Sequence, residues 1–203
     1  NILVTSDDGV PVPKVIDFGI AKATQGRLTD HTVFTAFEQF IGTPAYMSPE
    51  QAEMSLHDID TRTDVYSLGV LLYELLTGQT PFDKDTLTKA GFDEMRRIIR
   101  EDEPETVSQR IARTRSAERG AGSEGNVPRS ELRVPRMSEL DWIVMKALEK
   151  DRSRRYESAS ALATDIQRYL SDEPVLACPP TTMYRFQKFA RKHQPALATA
   201  AAI

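Results

Sequence analysis

Val15-Ile16-Asp17-Phe18-Gly19 ends an apolar run with a carboxylate and follows it with a glycine. A strand of that kind gives the carboxylate a rigid base, and the glycine lets the chain turn sharply beside it. That suits a metal ligand at the edge of a movable loop. The plainer reading is a strand end with a turn, and the tripeptide alone does not separate the two. Order and spacing carry more. Asn1 stands sixteen residues before Asp17, and Gly42-Thr43-Pro44-Ala45-Tyr46-Met47-Ser48-Pro49-Glu50 closes the loop that Asp17 opens. Asp64-Val65-Tyr66-Ser67-Leu68-Gly69 follows, and Lys150-Asp151-Arg152-Ser153-Arg154-Arg155-Tyr156 comes last.

The elements that must position these residues are legible in the pattern. Ile2-Leu3-Val4 and Lys14-Val15-Ile16 are short β-prone runs separated by the turn-rich Ser6-Asp7-Asp8-Gly9, which predicts a small hairpin. Residues 20–47 show no clear period and read as a long loop, a kind that is usually functional. From Thr61 the chain runs without a breaker to Gly78, with Pro81 just beyond, which is helix-stop chemistry. Its apolar residues Val65, Leu68, Val70, Leu71, Leu72, Leu75 and Leu76 cover most of the circumference, so this helix is expected to be buried at the centre of the core. Helical spacing recurs over Phe92–Arg100 and Leu140–Leu148, and again from Ser158, a plausible cap, to Leu170.

Residues 101–136 begin acidic and become rich in Arg, Ser and Gly, with few large apolar side chains to offset the entropy of ordering. They read as a mobile insertion. Its seven arginines from Arg110 to Arg136 form a solvated loop or dock an acidic partner or a phosphate, the solvated loop being the simpler reading.

Composition sets the frame. The 203 residues are 40% hydrophobic and 28% charged, which is ordinary for a globular domain. A net charge of -4 argues against a non-specific nucleic-acid binder, whose phosphate contacts need a dominant basic surface. The single cysteine, Cys178, cannot form an internal disulfide, and no Cys/His cluster has zinc spacing, which fits a reducing compartment. Asn1-Ile2-Leu3-Val4 brings neither an initiator Met nor the flanks of a signal peptide, and reads as the interior of a longer chain.

Taken together, these motifs in this order, from Asn1 to about Leu170, resemble the protein kinase family. The resemblance implies an α+β protein kinase-like fold, here mainly the α-helical C-terminal lobe with a short β-hairpin at its start. It would occupy 1–172, with an activation segment at 17–50. By the same resemblance, Asn1 is similar to the asparagine that ends the catalytic loop and Asp17 to the aspartate of the Asp-Phe-Gly motif. Both would ligate Mg²⁺ on the phosphates of ATP. The family's catalytic aspartate lies five residues before this asparagine, and the glycine-rich loop, the nucleotide-pairing lysine and its glutamate lie further upstream. No catalytic residue is therefore assigned within the 203 residues.

Thr43 resembles the threonine found where serine/threonine kinases receive the substrate residue, and Thr35 and then Thr32 lie where related kinases carry activating phosphorylation. Glu50 and Arg155 resemble the family's buried ion pair, and Asp64 the residue that accepts backbone hydrogen bonds from the catalytic loop. Ser48-Pro49-Glu50 departs from the commoner Ala-Pro-Glu by one small residue for another. The implied activity is a bacterial-type serine/threonine protein kinase in signalling, with nucleotide and protein substrates as partners and no nucleic acid. A pseudokinase or scaffold binding module is the alternative, and a free-standing adaptor domain a remoter one.

Beyond the lobe, 173–194 reads as a basic juxtamembrane tail. Arg185, Lys188, Arg191, Lys192 and His193 interleave there with Tyr184, Phe186 and Phe189. The uncharged run from Pro195 to Ile203 that follows is what the positive-inside rule expects on the cytoplasmic side of a membrane span, although a span needs about 20 apolar residues. The expectation is a cytoplasmic kinase domain in a single-pass membrane protein, with 195–203 beginning the span. An amphipathic tail helix packed on the lobe is the other reading.

Overall fold

The computed structural model describes residues 2–15, 44–53, 59–120 and 139–178. The chain divides into two compact units, 1–42 and 43–203, each taken here by itself.

In the first unit, β1 (Ile2–Asp7) pairs antiparallel with β2 (Val10–Val15). Asp8 and Gly9 both have positive φ, 48° and 80°, the conformation of a two-residue type I′ turn that Asp-Gly favours. With Asp7 and Val10 closing the turn as a hydrogen-bonded pair, the alternation of the ladder puts Pro11 and Pro13 opposite Ser6 and Val4 at non-hydrogen-bonded positions. Neither proline is then asked for an N–H it lacks. For this reason β2 starts four residues earlier than the run Lys14-Val15-Ile16 suggests.

The second unit is helical. Pro44–Tyr46 is a 3₁₀ turn, followed by α1 (Pro49–Ala52), α2 (Thr61–Thr77), α3 (Lys84–Lys89) and α4 (Phe92–Glu101). Then come α5 (Val107–Gly120), α6 (Glu139–Ala147), a 3₁₀ turn at Arg152–Arg154 and α7 (Ala159–Leu170). Local chemistry sets the ends. Asp60 caps α2 by accepting from the Arg62 N–H at 2.8 Å, and Gly78 ends it in the left-handed region at φ 75°. Ser48 and Gln51 exchange side-chain and backbone hydrogen bonds around the start of α1, a capping box. Ser158 caps α7 through the Ala161 N–H.

Helix α2 is the centre of this unit. One flank carries Val65 into a cluster with Ile143, Ala147, Tyr156 and Leu162, and the other carries Tyr66, Val70 and Tyr73 into a cluster with Val107, Val144 and Leu148. Burial is not all round, as the sequence suggests: Leu75 is 74% exposed. The described helices that pack on α2, namely α5, α6 and α7, converge on the two flanks just named and leave the Leu75 side uncovered.

Residues 107–120, part of the segment read as a mobile insertion, form helix α5. Its anchors are two charged side chains that a search for apolar periodicity passes over. Arg110, 8% exposed, donates to the Tyr73 hydroxyl at 3.1 Å, the Pro81 carbonyl at 3.0 Å and Gln79 Oε1 at 3.3 Å. Asp141 of α6, fully buried, accepts from the Ser108 N–H at 2.8 Å in the first turn, where helical N–H groups have no partner of their own. The remainder of that segment, 121–136, lies outside the described residues.

The packed unit also reaches past 172, where the sequence suggests a tail begins. Asp165, fully buried, accepts from the Tyr156 hydroxyl at 2.8 Å and from the Leu176 and Ala177 N–H groups at 2.5 and 2.9 Å. Those bonds seat Val175 and Cys178 in the same cluster as Val65. Residues 179–203, which hold the basic stretch and the uncharged run, lie outside the described residues.

Gly69 is where α2 and α6 touch most closely. A Cβ there would stand 2.8 Å from Ala147 Cβ and 3.2 Å from Leu148 Cδ2. Gly69→Ala in the full chain should therefore lose about 1–3 kcal/mol through overpacking, even though alanine is the better helix former. Urea melts checking this would contradict the close approach if the variant were as stable as the parent.

Candidate functional site

The described part of the site is organised around one buried charge pair. Arg155 Nη1 donates to Glu50 Oε1 at 2.7 Å and Nη2 to Oε2 at 2.8 Å, a two-pronged carboxylate contact across 105 residues of sequence. The remaining donors are also taken: Nε by the Glu149 carbonyl at 2.7 Å, Nη1 by the Arg62 carbonyl at 3.1 Å and Nη2 by the Lys150 carbonyl at 3.1 Å. The Tyr66 ring covers the guanidinium at 5.0 Å. Thr63 Oγ1 adds a hydrogen bond of 2.8 Å to Glu50. Burial by itself pushes the Glu50 carboxyl up. The bonds from Arg155, its own backbone N–H and Thr63, with the Arg155 charge, outweigh that and hold it below the usual carboxylate value.

The turn Pro44–Tyr46 is tied to α2 by a second polar contact. The Tyr46 hydroxyl donates to Glu74 Oε2, Lys84 Nζ pairs with Glu74 Oε1 at 3.1 Å, and Ser67 Oγ donates to the Tyr46 carbonyl at 3.0 Å. Burial, then the hydrogen bond and charge of Glu74, push the Tyr46 phenol up to about 12. The bond from Tyr46 leads in holding Glu74 below its usual value, with Lys84 adding to it. The residues just after Thr43 are thus fixed by their side chains as well as by the chain.

Of the residues singled out in the sequence, the structure brings Glu50 and Arg155 together. Asp64 sits in the first turn of α2, exposed, and its side chain makes no hydrogen bond among the described residues. Asn1, Asp17, Thr32, Thr35 and Thr43 lie outside the described residues. Sequence reasoning missed Tyr46, Glu74 and Lys84. A signal was present, because Glu74 interrupts the apolar stretch of α2, and an acid there is costly without a partner.

The protein kinase domain family matches residues 1–166. Among individual relatives, the serine/threonine-protein kinase PknB of Mycobacterium leprae is 33% identical over 174 residues, 86% of this chain and 22% of that protein. PknB of Mycolicibacterium smegmatis is 34% identical over 168 residues, 83% of this chain and 21% of the relative. A probable serine/threonine-protein kinase of Clostridium perfringens, CPE1738, is 34% identical over 176 residues, 86% of this chain and 20% of the relative. The chain spans about a fifth of the length of these curated relatives.

The buried pair gives a stability prediction. Glu50→Ala or Arg155→Ala should each cost about 3–5 kcal/mol, because the remaining charge stays buried without its partner, and the double variant should lose far less than the sum. The pH dependence has a definite sign. With folded Glu50 below the unfolded value of 4.5, the unfolded state binds more protons in the window between them. The contribution is therefore complete above about pH 4.5 and lost as pH falls through the folded value, and Glu50→Ala should remove that acid limb. A double-mutant cycle by urea melts at pH 7 and pH 4 reads both effects, and additive losses would show that the two residues act separately.

Proposed function

The chain belongs to the protein kinase family, and on that premise we propose that it is the C-terminal-lobe part of a serine/threonine protein kinase. The reaction is transfer of the γ-phosphoryl group of ATP to Ser or Thr of protein substrates. The observation that carries this reading is the order of motifs inside the 1–166 match: Asn1, Asp17-Phe18-Gly19, Gly42 to Glu50, Asp64 to Gly69, and Arg155. The relatives named above are called serine/threonine-protein kinases, which supports a hydroxyl acceptor on Ser or Thr.

The donor set fits Mg²⁺ by its chemistry, since an asparagine amide oxygen and an aspartate carboxylate are hard oxygen ligands. Asn1 and Asp17 would hold the ion, which would supply positive charge to offset that of the nucleotide phosphates. Thr43 would line the place that receives the acceptor residue, and its neighbours Pro44–Tyr46 are held by Glu74, Lys84 and Ser67. Glu50 and Arg155 would keep the end of the 17–50 segment on the helical unit. Asp64 would take backbone hydrogen bonds from a catalytic loop. The aspartate that orients the acceptor hydroxyl and the lysine that orients the phosphates would lie before Asn1.

Phosphoryl transfer rests on positioning and charge stabilisation, so half of the clamp should not catalyse it. In a radiolabelled-ATP assay the full-length protein should phosphorylate Ser or Thr, Asp17→Asn should lower the rate by roughly 10³-fold, and residues 1–203 alone should be inert. Peptide mass spectrometry of the active protein should find phosphate on Thr35, or next on Thr32, where added charge can order a loop by pairing with arginine. Robust transfer by residues 1–203 alone would overturn the division of roles, and an inert full-length protein would favour the scaffold reading.

We also propose that the full-length protein is anchored by a membrane span beginning near Pro195, with residues 184–193 at the cytoplasmic surface. The basic and aromatic flank before an uncharged run supports this. Among the described residues no helix is long and apolar enough to cross a membrane. On fractionation the full-length protein should sediment with membranes and be released by detergent but not by high salt. Recovery in the soluble fraction without detergent would refute the anchor.

A further inference from the structure

The stretch from Pro44 to Glu50 is held at its two ends by contacts of different kinds. At the far end Glu50 meets Arg155, their side chains 7% and 0% exposed, so breaking that pair strands a charge away from water. At the near end the Tyr46 hydroxyl donates to Glu74 Oε2, and Glu74 Oε1 takes Lys84 Nζ at 3.1 Å. Glu74 and Lys84 are 26% and 57% exposed, and water replaces an ion pair of that kind at little cost. The far anchor is permanent, whereas the near one can be loosened while the helical unit stays folded.

The Tyr46 hydroxyl is separable from the packing beneath it. Its ring lies on the cluster that holds Tyr66, Val70 and Tyr73, a contact a phenylalanine ring would also make. The turn has backbone bonds of its own: Ser67 Oγ donates to the Tyr46 carbonyl at 3.0 Å, and the Met47 N–H donates to the Pro44 carbonyl at 3.2 Å. What the hydroxyl adds is a tie to α2 through Glu74, whose other oxygen is held by Lys84 at the first residue of α3. Turn, α2 and α3 therefore meet on one carboxylate. Thr43 directly precedes Pro44 in the chain, so a displaced turn takes it along.

We propose that Tyr46 and Glu74 are positioning residues for the protein acceptor, supported by Lys84, because their hydrogen bond sets the place of Thr43 and with it the affinity for the Ser- or Thr-bearing substrate. This rests on the kinase reading, in which Thr43 lines the place that receives the acceptor residue. On that reading ATP is held by Asn1, Asp17 and groups before Asn1, so the nucleotide should not feel the loss of the Tyr46 hydroxyl. Lys84 acts one step further out. It keeps Glu74 aimed and ionised, and an ionised acceptor makes the stronger hydrogen bond.

The test is steady-state kinetics of the full-length protein with casein as the acceptor, ATP and casein being varied in turn. Tyr46→Phe should raise the casein KM roughly tenfold, the order of one hydrogen bond to a charged group, and leave the ATP KM and the melting temperature within error. Glu74→Gln keeps an amide oxygen for the Tyr46 hydroxyl and should raise the casein KM less than Glu74→Ala does. Lys84→Ala should give a smaller rise than Tyr46→Phe, and Lys84→Arg should restore the parent value. Hydrogen exchange supplies a readout that needs no activity. Tyr46→Phe should speed exchange at the Met47 N–H and leave the Ala52 and Glu53 N–H groups, beside the Arg155 anchor, unchanged. An unchanged casein KM, or equal rises in the casein and ATP KM values, overturns the positioning role, and so does unchanged exchange at Met47. If the parent transfers phosphate to no protein acceptor, the kinase reading itself fails and the proposal with it, an outcome told apart from the others by the inactive parent.

Discussion

Arg155 directs all of its N–H donors to acceptors on separate stretches of chain: the Glu50 carboxylate, the carbonyls of Glu149 and Lys150, and the Arg62 carbonyl. That one side chain joins the start of α1, the start of α2 and the turn after α6. A buried charge pair is weak evidence for net stability, because desolvation offsets much of the attraction. Its contribution here is geometrical. A carboxylate that must meet a planar fork has one acceptable position, so the end of the 17–50 segment is fixed to the helical unit in one place. Lysine could not substitute, since a single ammonium has too few donors and no fork.

The same logic recurs away from that pair. Asp141 holds the first turn of α5, Arg110 ties α5 to the segment after α2, and Asp165 seats residues 173–178. Each is buried, and backbone groups are among the partners of all three. Apolar burial supplies most of the driving force for a helical unit of this kind, but it tolerates sliding. These polar contacts do not, because a shift of one residue would leave a buried charge without its hydrogen-bond partners.

That division explains what could be read from the sequence. Helix α2 was legible at both ends, because its unbroken run from Thr61 is long and Gly78 is a local stop signal. The hairpin was legible as a hairpin. The length of β2 was obscured by Pro11 and Pro13, whose tolerance depends on register rather than on type. Helix α5 was not legible, since Arg110 and Asp141 stabilise it through partners 29 and 33 residues away, and composition alone marks such a stretch as unable to order. The extension to Cys178 escaped for the same reason, its anchor being a carboxylate inside α7. Of the candidate site, Glu50 and Arg155 were found through motif order and meet in space. Tyr46, Glu74 and Lys84 required coordinates, because their network joins three elements with no shared period.

The turn from Glu149 to Arg155 shows how one side chain can fix a segment from both ends. The Glu149 and Lys150 carbonyls are held by Arg155, and Asp151 closes the following turn by accepting from the Ser153 N–H and hydroxyl. With its backbone fixed at both ends, the Lys150 side chain lies against the end of α4, where Nζ donates to the Ile99 carbonyl at 2.6 Å. Burial then acts on the charge and lowers its proton affinity. The Arg155 fork thus holds in one place the stretch of backbone from which Lys150 reaches the Ile99 carbonyl and the Phe82 ring.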